Sequence, residues 1–488
     1  MHSVPLRSGK PHSDKRLRNC LAGVLLIALA GCAEPLPRLS PPVPAQWRHA
    51  AASTQAKPTD LHGWWHAFAD PELDALVDRA LASNLEVAEA VERLRAVRAL
   101  HDRAGARYLP ALSFGTNDVV DPSANASYFF VGFDANWELG LFGRSEGTRR
   151  EAQGALDAGV ADLRSAQVSL VAEVVREWIE LRTAQQQEQL LSRISQARRQ
   201  AWRALGVRQR LHLAAPGTVD QAQAAYAQSQ AALAAPRQAI NASAQRLALL
   251  LGQNQPDPAW LRPGAPPELG AWQVDSTPAD LVRTRPEIAR AEANVLQAAG
   301  AQALAHADMF PSLGIGGSLD WATDIDNDKP HSDTPNVIPS LGPEIHIPLF
   351  DWGIRLAAKH ARDHELKASV LAYRQAVLQG VAEVESALGS LQQQEQREQQ
   401  DTLAWHALAR VDHSMQTRQH LQLASPLDRS ESQIAADQAA IELADARAGH
   451  GLAYVALFKA LGGAPLPTAD QLEKPPTAAG AGAGEARH

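Results

Sequence analysis

The chain has 488 residues, of which 46 are Lys or Arg and 54 are Asp or Glu, and its formal net charge is −8. This acidic balance excludes the extended basic surface that nucleic-acid binding requires, so no nucleic-acid partner is expected. Alanine, glutamine, leucine and arginine dominate long stretches, which favours long helices.

Residues 1–31 have the pattern of a secretory signal. Basic residues precede an apolar run from Leu21 to Ala30, which is too short for the ~20 residues of a membrane helix. Removing this segment takes away five basic residues and one acidic residue, so the formal charge changes from −8 to −12. No disulfide can then form within one chain, because Cys20 is removed and only Cys32 remains.

The end of the signal, Leu29-Ala30-Gly31-Cys32, resembles the lipobox of bacterial lipoproteins. The resemblance implies that Cys32 becomes the first mature residue and carries N-acyl and S-diacylglycerol chains, which anchor it in lipid. Ala33, where an aspartate would favour retention, implies sorting to the outer membrane. The alternative is an ordinary signal peptide with an incidental cysteine.

The chain repeats itself at an offset of about 200 to 210 residues, which indicates two copies of one structural unit. Tyr108-Leu109-Pro110 corresponds to Met309-Phe310-Pro311, and "LGLFGR" at 139–144 corresponds to "IPLFDWG" at 347–353. The predicted organisation is a signal at 1–31, an acylated linker at 32–60, a first repeat at 61–252, an inter-repeat linker at 253–276, a second repeat at 277–463 and a disordered tail at 464–488.

Each repeat is predicted to contain a helix, two strands and a long helical hairpin. The strands lie at about 108–142 and 311–350, and the hairpins at about 144–252 and 354–462. The outgoing helices run without proline from Arg144 to Ala215 and from Ile354 to Ser425, so ~70 residues would reach ~105 Å. A proline is predicted to end each outgoing helix at the tip of the hairpin. A returning helix then completes the hairpin.

The strand segments alternate between apolar and polar residues for about ten residues each. Phe129, Val131, Phe133, Ala135 and Trp137 share one face, and polar or small residues share the other. This pattern suits a transmembrane strand with lipid on one side and a lumen on the other, although a half-buried sheet of a soluble protein alternates in the same way. Four strands cannot close a barrel in lipid, whereas three chains together would supply twelve strands and twelve helices.

These features resemble the TolC-like outer membrane factors, and most closely the NodT-type lipoproteins of RND efflux systems. The resemblance rests on "GWWHAFADPELDALVDRALASNLEVAEAVERLRAVRA" from Gly63, and on "WELGLFGR", "IPLFDWG" and "KALGG". Gly140 replaces the aspartate of the family's second motif, and Ala464-Pro465 follow Gly463 where the family has Gly-Trp.

The resemblance implies a mainly α protein with a membrane β-barrel. Three chains would form a 12-stranded β-barrel continued by a 12-helix α-barrel, in the outer membrane with a long periplasmic extension. It implies a passive exit duct, not an enzyme, that exports small toxic compounds or drugs. Its partners would be two further copies of the chain, a periplasmic adaptor, an inner-membrane transporter and outer membrane lipid.

The hairpin tips carry the candidate site residues. Asp428 and Glu431 stand three residues apart on one helix face, and the resemblance implies that they line a periplasmic gate, with Asp220 as the acid of the first repeat. The alternative is a solvated acidic helix face. Gln419 and Ala424 replace the family's tyrosine and arginine partners. The predicted adaptor-contact positions at the tips are Ala215, Pro216, Gly217, Ser425 and Pro426.

Other candidate sites are weaker. His360 and His364 lie one helical turn apart and could bind a metal, but a hydrated helix face explains them as well. Asp324 to Asp328 have partial calcium-loop spacing, without the following glycine. No catalytic or phosphate-binding motif occurs, so no enzyme activity, metal or cofactor other than the Cys32 lipid is expected. The rival function is a periplasmic coiled-coil adaptor lipoprotein without a pore.

Overall fold

The computed structural model describes residues 35–39, 43–49, 59–119, 128–273, 277–324 and 336–472. Three predictions from sequence therefore fall outside the described residues. They are the signal at 1–31, the predicted lipidation of Cys32, and the partial calcium-loop spacing beyond Asp324.

The described part of the chain is mostly helical, with one four-stranded sheet. The helices are α1 (Pro71–Ser83), α2 (Leu85–His101), α3 (Arg144–Arg210), α4 (Thr218–Ala231), α5 (Ala234–Leu250), α6 (Leu281–Thr284), α7 (Pro286–Ala307), α8 (Ile354–His420), α9 (Pro426–Ala460) and α10 (Ala469–Leu472). The strands are β1 (Ala111–Val119), β2 (Tyr128–Glu138), β3 (Ser312–Asp324) and β4 (Asn336–His346), and short 3₁₀ helices cover Trp64–Phe68 and Ala104–Tyr108. Within the described segments, no helix is both long and apolar enough to cross a membrane.

The two outgoing helices, α3 and α8, are 67 residues each. They end at Arg210 and His420, five residues before the ends predicted from proline placement. Left-handed His212 (φ 59°) and Gln422 (φ 61°) stop them. Leu213 N–H then donates to Arg208 O at 2.8 Å, and Leu423 N–H donates to Arg418 O at 2.8 Å. Each helix thus ends in a Schellman-type cap before its proline is reached.

Equivalent positions of the two repeats are separated by one of two offsets along the chain, 210 or 201 residues. The positive φ angles of Phe142 and Trp352, and of Gly143 and Gly353, occur 210 positions apart, as do the starts of α3 and α8. The first strands, β1 and β3, begin 201 positions apart, at Ala111 and Ser312. Phe142 therefore corresponds to Trp352 and not to Phe350, although the shared Leu-Phe letters suggest the latter.

The returning helix is continuous in the second repeat and broken in the first. Helix α9 runs unbroken from Pro426 to Ala460, whereas α4 ends at Ala231 and α5 begins at Ala234. Pro236 explains the break, because it has no N–H to donate to the carbonyl four residues earlier and its ring crowds that carbonyl. The predicted returning helix of the first repeat is thus interrupted at Ala232 and Leu233, although the dihedral angles of both residues stay in the right-handed helical region.

The contact pattern divides the chain into two compact units, each built from several stretches. Among the described residues, the first comprises 35–39, 96–119, 128–158, 291–324 and 336–373, and it contains the sheet. Here α3 and α7 approach closely through glycines. A Cβ on Gly154 would lie 2.5 Å from Gln297 N, and one on Gly300 would lie 2.4 Å from Glu151 N. Only glycine therefore permits this helix spacing.

Among the described residues, the second unit comprises 43–49, 59–95, 159–273, 277–290 and 374–472, and it has an aromatic core. The Trp64 ring stacks on Phe458 at 5.7 Å between centroids and contacts Tyr454 edge-on at 5.8 Å. The Tyr454 hydroxyl donates to Trp64 O at 2.9 Å, and Trp64 Nε1 donates to Gly463 O at 3.1 Å. Burial raises the pKa of Tyr454, so it stays a neutral donor. The family-like aromatic motif thus holds the end of α9.

The segment after Gly463 packs against the same core. Ala464 is buried, and its carbonyl accepts a hydrogen bond from His62 Nδ1 at 2.7 Å. Helix α10 follows, and the Gln471 side chain contacts Gln167 at 3.2 Å. The prediction of a disordered tail from residue 464 is therefore wrong for residues 464–472. Residues 473–488 lie beyond the described part of the chain.

The sheet has strand order β1-β2-β3-β4, and all its neighbours are antiparallel. Its register brings apolar positions opposite each other, as in Phe114↔Phe133 and Phe133↔Leu319. Strand β4 ends at His346, short of the predicted 350, because its pairing partner β3 begins at Ser312 and offers no further residue. Strand β2 ends at Glu138, and positive φ angles at Gly140, Phe142 and Gly143 turn the chain into α3.

Candidate functional site

The tip of the second hairpin is built on a capping box. Ser425 is the N-cap of α9, and its hydroxyl accepts a hydrogen bond from Asp428 N at 3.2 Å. The Asp428 carboxylate in turn accepts one from Ser425 N at 2.8 Å. Pro426 occupies the first helical turn, where its missing N–H costs nothing. The sequence pattern Ser-Pro-x-Asp contains the signal for this cap, in addition to the helix break and the gate acid that it predicts.

The predicted gate acids of the second repeat lie on the exposed start of α9. Asp428 and Glu431 are both exposed in the single chain. The hydrogen bond from the Ser425 backbone N–H lowers the pKa of Asp428, and Arg208 and Arg418 add smaller electrostatic contributions in the same direction. Asp428 therefore remains ionised to a lower pH than an ordinary aspartate. It also stabilises the positive end of the helix dipole.

Below this cap, α8 and α9 are joined by an ion pair that the sequence analysis missed. Arg429 pairs with Asp412, and the Ser432 hydroxyl donates to the same Asp412 oxygen at 2.9 Å. All three groups are largely shielded from solvent. Because Asp412 and Arg429 are 17 residues apart in the sequence, their pairing could not be predicted without the hairpin that places them side by side.

The first tip has a different start. Gly217 adopts φ 83°, and the Thr218 hydroxyl donates to Ala215 O at 2.8 Å. Asp220 lies exposed in the first turn of α4. At the 210-position offset of the flanking helices, Thr218 corresponds to Asp428 and Asp220 corresponds to Ser430. The two tips thus share the helix cap at His212 and Gln422, but they do not share an acid at the same position.

Both tips expose a pair of leucines that the sequence analysis did not single out. The residues are Leu211, Leu213, Leu421 and Leu423, and all four are exposed. A repeated Leu-x-Leu-Ala sequence at the 210-position offset was the available signal. Ala215, Pro216, Gly217 and Pro426 are also exposed, and Ser425 is half-buried. The tips therefore present an apolar surface as well as acids.

The sheet carries its apolar side chains on an exposed face. Leu112, Phe114, Phe133, Leu341 and Ile345 belong to this face and are all exposed. The opposite face has a polar row across all four strands, because Ser113 pairs with Asp134, Asp134 with Ser318, and Ser318 with Ser340. The Ser318 and Ser340 hydroxyls are 2.9 Å apart and hydrogen bonded. A sheet with one exposed apolar face suits contact with lipid.

The weaker metal candidates gain no support from geometry. His360 and His364 are exposed on α8, and neighbouring Asp363 bonds to Gln302 Nε2 and Lys359 Nζ, both at 3.1 Å. Among the residues that the structure describes, no three His, Cys, Asp or Glu side chains are grouped as a metal site. The aspartates at 325–328 lie outside those residues.

A repeated strand pair and helical hairpin, with an exposed apolar strand face, define the fold of an outer membrane channel. The Neisseria gonorrhoeae MtrE outer membrane channel, solved in its open state, has this fold. It matches with a TM-score of 0.75 at 24% identity, over 88% of this chain and 98% of that one.

Comparisons of the sequence with known proteins agree with this match of the fold. The outer membrane efflux protein model matches residues 76–253 and 278–463. The pyoverdine export outer membrane protein OpmQ of Pseudomonas aeruginosa is 28% identical over 446 residues, covering 86% of this chain and 91% of OpmQ. Nodulation protein T of Rhizobium leguminosarum bv. trifolii is 25% identical over 395 residues, covering 75% of this chain and 80% of that protein.

The chain belongs to the outer membrane efflux protein family. The resemblance to TolC-like outer membrane factors is thereby confirmed, and the protein is an outer membrane exit channel for efflux. The rival interpretation, an adaptor lipoprotein without a pore, predicted one hairpin and soluble β-domains. The described residues instead form two hairpins and a four-stranded sheet with an exposed apolar face.

Proposed function

We propose that three copies of this chain form one passive exit duct, with a 12-stranded β-barrel in the outer membrane and a 12-helix α-barrel in the periplasm. The observation that carries the proposal is the open sheet. Among the described strands, β1 and β4 each pair on one side only, while the apolar face is exposed. Unpaired strand edges in hydrocarbon cost several kcal/mol for each polar group, so the sheet needs other strands to close.

The polar row of Ser113, Asp134, Ser318 and Ser340 would then face a water-filled bore. Such a bore conducts whatever the inner-membrane transporter delivers, which we propose to be small toxic compounds or drugs. The periplasmic adaptor would dock on the hairpin tips. Leu211, Leu213, Leu421 and Leu423 support this, because exposed apolar side chains at a surface tip are typical of a protein contact.

The periplasmic gate would be formed by Asp428 and Glu431, with Asp220 from the first tip. In a trimer, each of these exposed acids would occur three times around one narrow passage. Grouped carboxylates attract cations and repel anions. The Ser425 cap supports the proposal, since it fixes Asp428 at the start of α9 and keeps its carboxylate ionised.

Cys32 would carry the acyl chains that anchor the duct to the outer membrane. The supporting observation is the Leu-Ala-Gly-Cys ending after a short apolar run. Two or more acyl chains anchor a protein stably, whereas one chain gives only reversible binding.

The test of the duct is extraction from the outer membrane in mild detergent, followed by mass determination and conductance measurement in planar bilayers. We expect a trimer that forms channels. A monodisperse monomer that conducts would overturn the proposal, because four strands cannot enclose a bore in lipid.

A further inference from the structure

We infer that a cleft at the start of α3 binds the phosphate group of a membrane phospholipid, through Arg149 and Arg150. The inference rests on the proposed function, which puts the sheet in the outer membrane and acyl chains on Cys32, and it adds a lipid-binding site beside the strands. Three features of the first unit carry it: the charges of the cleft, its place next to the strands and the lipid anchor, and the recurrence of its cations in the second repeat.

The cleft is lined by residues from the end of α2, the start of α3 and the middle of α7, and its volume is about 490 Å³. Its walls combine apolar and charged side chains, among them Leu36, His101, Ala104, Glu146, Arg149 and Leu296. Binding sites for small molecules have this size and this mixture, with a few polar groups that fix the ligand. The cleft therefore suits a ligand that is apolar at one end and charged at the other.

The charged groups of the cleft leave an excess of positive charge. Arg149 and Arg150 both pair with Glu146, each at 3.0 Å, so two guanidinium groups share one carboxylate. The Arg149 side chain is 67% exposed and so has room to reach a ligand. Guanidinium groups bind phosphate oxygens through paired N–H donors. A phosphate in the cleft would therefore match both the charge and the donors of these arginines.

His101 adds an unsatisfied polar atom to the wall of the cleft. Its Nε2 bonds to Gln153 Oε1 at 3.0 Å. Its Nδ1 is shielded from solvent and has no hydrogen-bond partner among the described residues, since Asp102 Oδ1 is 3.6 Å away and beyond hydrogen-bond range. Buried polar atoms are nearly always paired in folded proteins, so this atom indicates a partner that a bound ligand supplies.

The cleft lies next to the strands. Gly105, which lines it, belongs to the 3₁₀ helix that ends at Tyr108, just before β1. The Tyr108 hydroxyl and Thr148 Oγ1 are hydrogen bonded 2.9 Å apart, and Thr148 directly precedes Arg149. The exposed apolar face of the sheet begins at Leu112 on the same strand. Arginine suits this level, because its stem covers apolar surface while its charged end reaches the lipid headgroups.

Leu36 connects the cleft to the proposed lipid anchor. It lines the cleft and follows Cys32 by four residues. Four residues of extended chain span at most about 14 Å, so the acyl chains proposed for Cys32 are attached no farther than that from Leu36. A phospholipid therefore suits the cleft better than a free phosphate ion, because its own acyl chains would lie in the same membrane as the anchor.

A shared side-chain contact confirms which positions of the second repeat correspond to the cleft. The hydrogen bond between His101 and Gln153 has its equivalent between Gln302 and Asp363, at 3.1 Å. These pairs are separated by the offsets of 201 and 210 residues that relate the two repeats elsewhere. In the second repeat Asp363 also accepts a hydrogen bond from Lys359 Nζ at 3.1 Å.

The cations of the cleft recur at these corresponding positions. Arg149 corresponds to Lys359, and Arg150 corresponds to His360. Glu146, by contrast, corresponds to a leucine. Basic residues thus occur at the same level of both long helices although the acid that pairs with them differs. Pairing with Glu146 therefore does not explain why basic residues occur there, whereas headgroup phosphates at that level do.

The experiment measures phospholipid binding to full-length trimers by native mass spectrometry, after extraction in mild detergent and removal of bound lipid. The probe is dioleoyl phosphatidylglycerol, whose only charge is its phosphate. Two further probes separate the parts of the ligand, since glycerol 3-phosphate lacks the acyl chains and dioleoylglycerol lacks the phosphate. We expect saturable binding of the phospholipid, and at least tenfold weaker binding of either partial probe.

Three substitutions test the cleft. Arg149→Gln should weaken phospholipid binding roughly tenfold, the size of one hydrogen bond to a charged group. Gly105→Trp should weaken it as well by filling the cleft, because a Cβ at Gly105 has open space around it among the described residues. Glu146→Gln should instead tighten binding, because it removes the carboxylate that competes for Arg149. A variant that merely disturbed the fold would not bind lipid more tightly.

Matched controls lie farther along α3. Arg199→Gln removes an exposed arginine about 75 Å along the helix from Arg149. Gly206→Trp adds the same bulk at another glycine with open space around its Cβ position. Both controls should bind the phospholipid as tightly as the unmodified chain. Each variant is first checked for trimers, and if Gly105→Trp does not assemble, the opposite effects of Arg149→Gln and Glu146→Gln decide the matter.

The outcomes separate the inference from the proposed function. Equal weakening by Arg149→Gln and Arg199→Gln would overturn the cleft, because general attraction to a basic surface would then explain binding. Glycerol 3-phosphate that binds as tightly as the phospholipid would overturn the choice of a lipid. Conducting trimers without saturable phospholipid binding would overturn the inference alone. Monomers of the unmodified chain in detergent would overturn the proposed duct.

Discussion

Asp428 takes part in a helix cap, and in the proposed trimer it also belongs to the gate. Its carboxylate accepts the Ser425 backbone N–H at 2.8 Å. Replacement with Ala would therefore remove a charge and a cap together. Asn keeps an oxygen that can accept the same hydrogen bond, so it separates the electrostatic role from the structural one.

The first prediction concerns charge at the gate. In the double variant Asp428→Asn with Glu431→Gln, each chain of the trimer loses two carboxylates while side-chain size is kept. We expect weaker block by multivalent cations in planar bilayers, with less dependence on salt, because screening acts over ~8 Å at physiological ionic strength. Replacing both acids with Ala should in addition raise single-channel conductance, because it removes side-chain bulk.

Glu395→Gln serves as the control, because Glu395 is an exposed acid on the shaft of α8. Asp363 is unsuitable, since its carboxylate bonds to Gln302 and Lys359. Unchanged cation block in an assembled Asp428→Asn, Glu431→Gln channel would show that these acids are only a solvated helix face.

The second prediction concerns the cap itself. Ser425→Ala removes the acceptor for Asp428 N and should destabilise the start of α9 by about 1 kcal/mol. The measurement is amide hydrogen exchange over the first turn of α9, which should become several-fold faster. Ser414→Ala, at an exposed position within α8, is the matched control. Equal exchange in both variants would contradict a capping role.

The same cap has a defined pH dependence. Because the folded-state pKa of Asp428 lies below its ordinary value, its contribution to stability is complete above about pH 3.9 and is lost as pH falls through the lower folded value. We therefore expect exchange in the first turn of α9 at pH 5 to stay slow relative to an Asp428→Ala variant, which lacks this carboxylate. The difference should diminish only in stronger acid.

At the scale of elements, the aromatic cluster connects the segment before α1 to the end of α9. Tyr454 is buried, and its hydroxyl donates to Trp64 O at 2.9 Å. Tyr454→Phe keeps the ring contacts and leaves that carbonyl without its donor. We expect a loss of about 1–2 kcal/mol in the free energy of unfolding, because a buried unsatisfied polar group is costly.

The measurement is the midpoint of denaturant unfolding, compared with Tyr226→Phe. Tyr226 is half-exposed and stacks on Trp202 with centroids 5.8 Å apart, so its substitution tests loss of a hydroxyl without burial. A shift of the same size in both variants would show that the Tyr454 hydrogen bond adds nothing specific.

At the scale of the whole molecule, the lipid anchor and the assembly are separate predictions. Cys32→Ser should abolish incorporation of labelled fatty acid, while trimers still form because the strand and hairpin contacts are unchanged. Cys20→Ser, within the predicted signal, is the matched control and should retain the label. Label that persists in Cys32→Ser, or that is absent from the unmodified chain, would show the lipobox interpretation to be wrong.

Local periodicity was enough to predict much of the fold. Alternation over residues 129–137 predicted a strand with two unlike faces, and the register pairs those faces across the sheet. Repeated motifs predicted two copies of one unit, and proline-free stretches predicted two long helices, each observed at 67 residues. These features depend on neighbours in the sequence, which is why the sequence shows them.

Other features depended on contacts between distant residues. Left-handed His212 and Gln422 end the long helices before proline does, and a sequence without glycine there gives little warning. Only the folded hairpin brings Arg429 to Asp412.

The sequence by itself therefore determined the repeat, the strand faces and the family, because each is written in local pattern or motif. The tertiary structure decided that Phe142 corresponds to Trp352, since equivalence follows from matching φ angles and not from matching letters. It also decided which apolar residues are covered. Phe142 packs on Phe310 within the chain, whereas its equivalent Trp352 is left exposed.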